Sequence, residues 1–125
     1  MLKKIISGGQ TGADRAALDA ALITGFPCGG FCPGKRQAED GPIDLKYPLI
    51  EIKGGYPERT EKNVLSSDGT LIVFRTELKG GTLLTYELCR SHGKPHQLVD
   101  MITFSATEAA RLLWDFLENN KIAIL

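Results

Sequence analysis

The chain has 125 residues, enough for one domain with its own core. Fifteen Lys and Arg balance fifteen Asp and Glu, which excludes nucleic-acid binding through a general basic surface. No apolar run is long enough to span a bilayer, and the N-terminus shows no signal-peptide pattern. The three cysteines, an odd number with no sign of secretion, are expected as free thiols in a reducing cytoplasm.

Leu2 to Ile6 reads as a short strand broken by Gly8, Gly9 and Gly12. A helix is expected over Ala13–Ile23, stopping near Gly25 with Pro27 beyond. Asp14 lies in its first turn, where a carboxylate suits the helix dipole. Ala13, Ala16, Ala17, Ala20 and Ala21 predict a small-residue face and a buried, central helix. Phe26–Arg36 reads as a short strand interrupted by glycines. A polar Gly- and Pro-rich loop follows through Ile43, with Lys35 and Arg36 as its cations and Glu39 and Asp40 as its anions; long loops in compact domains are usually functional or mobile. Tyr47–Ile52 alternates weakly, and Pro48 argues for an edge strand. Gly54–Pro57 predicts a turn and Glu58–Ser67 a helix closed by Ser67-Asp68-Gly69. Thr70–Phe74 is the clearest buried strand, a short apolar run bounded by turns.

A second glycine turn, Lys79-Gly80-Gly81-Thr82, precedes a helix that Thr82 is suited to cap and that ends at Gly93. His96–Val99 is the next strand. Ser105–Glu108 forms a capping box for a helix whose apolar stripe is Ala109, Leu112, Leu113, Phe116 and Leu117; Ile122–Leu125 is the last strand expected. Alternating strands and helices predict one three-layer α/β domain over residues 1–125, with a mostly parallel central sheet and helices on both faces. Ligands of such sheets bind at the carboxyl ends of the strands, where both glycine turns fall. A glycine turn feeding a helix N-terminus is a natural anion site, although the order of glycines matches neither the dinucleotide fingerprint nor a Walker loop.

The ordered series Ser7-Gly8-Gly9-Gln10-Thr11-Gly12-Ala13-Asp14-Arg15, Gly30-Phe31-Cys32-Pro33-Gly34-Lys35-Arg36, Ala38-Glu39-Asp40-Gly41, Arg59-Thr60-x-x-Asn63-Val64, Ser67-Asp68-Gly69-Thr70 and Gly80-Gly81-Thr82-x-x-Thr85 covers nearly the whole chain. It resembles the molybdenum carrier family, the circularly permuted YpsA-like branch of the SLOG superfamily. The resemblance implies a Rossmann-like, cytoplasmic ligand-binding domain whose characterised relatives bind molybdenum cofactor and form homo-oligomers, here expected as a dimer or tetramer. The family commonly continues past its last strand with Asn-Val-Ala-Gly-Pro-Arg, which this sequence does not contain.

The expected ligand is a small phosphate-bearing molecule, a pterin such as molybdopterin or a nucleotide. Backbone N–H groups of Gly8, Gly9, Gln10, Thr11 and Gly12, and of Gly80, Gly81 and Thr82, are expected to hold its phosphate. Thr11, Thr82 and Thr85 would add hydroxyl donors, and Lys35, Arg36 and Arg59 would add charge, Arg being suited to a forked phosphate contact. Asn63 accompanies Arg59 in its motif. Gln10, Asp14 and Asp68 are suited to read a pterin edge. An alternative is a nucleoside-monophosphate N-glycoside hydrolase with Glu87 as the carboxylate that stabilises an oxocarbenium-like transition state, or a nucleotide-sensing domain. Cys28, Cys32, Cys89, His92 and His96 do not have the spacing of a standard zinc set, and no structural metal is expected. Leu112 and Phe116 offer an apolar face for a subunit interface if it is not all core.

Overall fold

A computed structural model describes residues 1–125 as four helices and six short strands. The strands form three parallel pairs: β1 (Ile5–Ile6) with β2 (Cys28–Gly29), β3 (Phe31–Pro33) with β4 (Ile50–Ile52), and β5 (Thr70–Phe74) with β6 (His96–Asp100). β2 and β3 are one strand bent at Gly30. Gly30 has φ +131°, and a Cβ there would collide with the backbone of Ser7. The bend lets one strand leave β1 and continue along β4. β4 pairs on one side only, as Pro48 suggested, although it begins at Ile50 rather than Tyr47.

Ile122–Leu125 makes a single parallel bridge, Lys4 with Ile124, rather than a full strand. Its backbone is nevertheless engaged on both sides. Lys4 N–H donates to Ala123 O, Leu125 N–H to Lys4 O, and Ile6 N–H to Leu125 O. On the other side Asp68 N–H donates to Ile124 O at 2.8 Å, and the Asp68 carboxylate accepts the N–H groups of Ala123 and Ile124.

The helices are α1 (Ala13–Thr24), α2 (Tyr56–Ser66), α3 (Gly80–Ser91) and α4 (Ala106–Asn120). Gly25 closes α1 in the left-handed conformation. α1 buries Leu18 and Ala21, while Ala13, Ala16 and Ala20 are exposed. The helix is thus less buried than its alanines predicted, because it rests on β1 and β2 through one narrow stripe. α2 starts at Tyr56, two residues early: Gly55 is its N-cap and Pro57 sits in its first turn, where a missing N–H costs nothing. Glu58 then accepts the N–H of Gly55 at 3.0 Å. α3 starts at Gly80, so Thr82 is not its cap but a first-turn residue whose hydroxyl donates to Lys79 O. α4 opens with the expected capping box, Glu108 N–H donating to Ser105 Oγ and Ser105 N–H to Glu108.

Two separate clusters of buried side chains hold these parts together. One joins Leu18 of α1 and Cys32 of β3 to Ile43, Tyr47 and Leu49. The other joins Val64 of α2, Ile72 of β5 and Cys89 of α3. Parallel strands flanked by helices are the α/β class expected, with the strands pairing two by two. Within β5, however, only Ile72 is buried; Leu71 and Val73 are half-buried and line a cavity.

Candidate functional site

The cavity, of about 180 Å³, lies between β1 and β5. α1 supplies Ala13, Asp14 and Ala17; α2 supplies Arg59, Thr60, Asn63 and Val64; α3 supplies Thr82 and Thr85; Leu125 also reaches it. Six of the sequence-predicted residues therefore meet here: Gly8, Asp14, Arg59, Asn63, Thr82 and Thr85.

Its polar end is built from the turn after β1. Ser7, buried, donates its hydroxyl to Asp14 O at 2.9 Å and accepts from Gly9 N–H at 3.3 Å. Gln10 N–H donates to the Asp14 carboxylate at 3.3 Å. Two of the donors expected to cradle a phosphate, the N–H groups of Gly9 and Gln10, thus turn to Ser7 and Asp14. Burial pushes the Asp14 carboxyl above the ordinary carboxylate range, and the Arg59 charge, the Gln10 and Gly8 N–H groups and Arg15 oppose that rise.

Arg59 faces Asp14 with Nη1 3.6 Å from the carboxylate, too long for a hydrogen bond. Its side chain is 12% exposed, and its buried Nε has no acceptor. The Arg59 side chain packs against Gly8: a Cβ at Gly8 would overlap its Nη1 and Cζ. Gly8 is therefore required by the cation, not by its own φ. Asn63, by contrast, spends its amide on β3, accepting Phe31 N–H and donating to Phe31 O, each at 2.9 Å. Thr82 and Thr85 donate their hydroxyl protons to Lys79 O and Gly81 O, so they face the cavity as acceptors rather than as the expected donors.

The remaining predicted residues lie elsewhere. Gln10 and Thr11 bond to Gln37 O and the Glu39 carboxylate, turning to the loop after β3. Arg15 clamps the same junction, donating to Gly9 O and to Asp40 at 2.7 Å. Arg36 is not a ligand cation here: it donates to the carbonyls of Ile43, Asp44, Tyr47 and Leu49, so the loop is pinned rather than mobile. Lys35 is exposed with φ 60° and does not line the cavity. Gly9 abuts Leu49, Gly12 is exposed, and Gly80 and Gly81 are exposed in the first turn of α3. Asp68 holds the C-terminal segment instead of facing the cavity. Glu87 is exposed on α3 and does not line the cavity. Cys32 and Cys89 sit in different cores; burial raises both thiols, and no group of three or more His, Cys, Asp or Glu gathers to hold a metal. Sequence reasoning missed Ser7, whose position between strand and glycines was the available signal. It also missed Thr60, whose hydroxyl donates to Tyr56 O in α2.

A model of the circularly permutated YpsA SLOG family matches residues 5–125. The chain belongs to that family. It is also similar to a solved crystal structure named "Putative molybdenum carrier protein", from Syntrophus aciditrophicus SB, with 46% identity and a TM-score of 0.96. The match covers 99% of this chain and 79% of that one. No curated protein matches. No helix is long and apolar enough to cross a membrane.

Proposed function

We propose that the chain is a carrier-type binding protein for a small phosphate-bearing ligand, a pterin such as the molybdenum cofactor or a nucleotide-like molecule. Its anion would sit between Arg59 and the first turn of α3. The observation that carries this is the Arg59 guanidinium, which is largely buried, makes no hydrogen bond and borders a cavity. A buried donor without an acceptor is costly, and a phosphate answers a guanidinium with two parallel bonds. The start of α3 supports the reading, since it has no side-chain cap and its dipole favours an anion. The family and the name of the solved relative support a molybdenum-containing cargo. Three free cysteines support a cytoplasmic setting. A homo-oligomer rests on the family resemblance; Phe116, offered as interface, is buried in the core.

Titration with a phosphorylated pterin, followed by pterin fluorescence, tests the reading. Saturable binding is expected, weakened by about ten- to a hundredfold in Arg59→Ala. Equal affinity in both proteins would contradict it, as would turnover of AMP to free base by the wild type.

A further inference from the structure

The outer face of α4 carries the chain's only tryptophan. α4 turns Phe116 into the core and keeps Ala109, Leu112, Leu113 and Leu117 half-buried. Trp114 stands two residues before Phe116, which at 3.6 residues per turn puts it on the opposite side of the helix, and it is 63% exposed. One exposed apolar side chain needs no partner by itself. Its neighbours decide the matter here. Thr107, Arg111 and Glu118 are exposed with it, at the three- and four-residue spacing that keeps side chains on one helix face.

Neither charge of this stripe is used within the chain. The ion pairs join Arg15 to Asp40, Arg59 to Asp14 and His92 to Glu61. Arg111 takes neither Glu118 nor Asp115, one turn on, as a partner. The base precedes Trp114 by three residues and the acid follows it by four, about 4.5 and 6 Å along the axis. That order is self-complementary. A two-fold axis beside Trp114 that sets two α4 helices antiparallel brings Arg111 of each copy against Glu118 of the other, with both tryptophans at the centre. Ala110, exposed one turn before Trp114, leaves room for the second ring.

We propose that the outer face of α4 is the contact between two copies of this chain, an antiparallel helix pair with Trp114 at its centre and an Arg111–Glu118 pair on either side. A two-fold contact uses the same patch on both subunits, and aromatic and Arg side chains are enriched at the centre of such contacts. A second copy fits better than an unlike partner of one charge. The stripe read in reverse matches a base and an acid flanking an apolar centre, whereas a strongly acidic or basic partner meets a like charge at one end. Arg111, Trp114 and Glu118 lie outside the cavity that holds Arg59, so the inference does not rest on the ligand reading.

The test is a charge swap, read by sedimentation over a concentration series and by the emission of Trp114, which reports on this face alone. The wild type is expected to associate, with its emission shifting to the blue as it does. Arg111→Glu and Glu118→Arg, each at an exposed position, are expected to weaken self-association by about tenfold or more, since each sets like charges together. Mixing the two variants is expected to restore association, because every contact in the mixed pair again joins one acid and one base. A wild type that stays monomeric at every concentration, leaving the face to an unlike partner, would overturn the proposal. So would a mixture that associates no better than its parts. An assembly that both reversals leave intact, or that forms without a change in emission, keeps the homo-oligomer and overturns this face. None of these results bears on the Arg59 titration, and failure of that titration leaves the swap unaffected.

Discussion

Gly8, Asp14 and Arg59 form a single unit. Gly8 leaves the room that the guanidinium fills, and Asp14 gives it a distant countercharge without satisfying its hydrogen bonds. Gly8→Ala is expected to displace Arg59 and weaken phosphate binding about as much as Arg59→Ala does, with little change in melting temperature, because the atoms in its way are side-chain atoms able to move. Gly9→Ala should do the reverse. Gly9 has φ +76° and its Cβ would strike Leu49, so it should destabilise by about 1–3 kcal/mol in thermal or urea unfolding.

Asp14 adds a pH dependence whose sign follows from its raised pKa. Between the ordinary carboxylate value and the raised one, the folded protein keeps a proton that the unfolded chain has released. Stability is therefore higher on the acid side and is lost as pH rises through the raised value. The ionised carboxylate also competes with a ligand for Arg59. Asp14→Asn should flatten the stability profile in that window and bind sulfate about tenfold more tightly at neutral pH, roughly the 1.4 kcal/mol of one pKa unit. An unchanged profile and unchanged sulfate affinity would remove Asp14 from the site. The sequence made Arg59 and Asp14 visible as motif members. It did not make visible that Asp14 fills the glycine turn, because that depends on a carboxylate folding back four residues onto Gln10 N–H.

At the scale of elements, glycines, prolines and short apolar runs marked the helices and strands well, since these signals are local. The errors have local causes too. Pro57 reads as a turn residue but lies in the first turn of α2, and Thr82 reads as a cap although Lys79 holds that place. The loop after β3 misled for a different reason. Arg36 looks like a free cation until the chain returns through Ile43, Asp44, Tyr47 and Leu49 and offers it four carbonyls. Those contacts are set by tertiary closure and carry no sequence period. Arg36→Ala should accordingly lower stability by about 2–4 kcal/mol, as loss of charge-assisted bonds leaves partly buried carbonyls unmet, while phosphate affinity changes little. A large affinity loss at unchanged urea midpoint would return Arg36 to the binding site.

At the scale of the molecule, the alternation of elements was enough to give a parallel α/β fold, and the ordered glycine and polar motifs were enough to indicate the family. The break of the sheet into three pairs was not legible. Gly30 announces a bend, but which edge each half then meets is a matter of long-range pairing. The same holds for the cavity, whose walls come from β1, α1, α2, β5, α3 and the C-terminal Leu125. The central claim is that Arg59 anchors a phosphate-bearing cargo in this cavity. Native mass spectrometry of the protein purified gently from cells that make molybdenum cofactor tests it most directly, with Arg59→Ala prepared alongside. The account predicts a phosphorylated pterin or molybdopterin mass released from the wild type on denaturation and absent from the variant. Wild type without any small molecule, or both proteins with the same one, would contradict it.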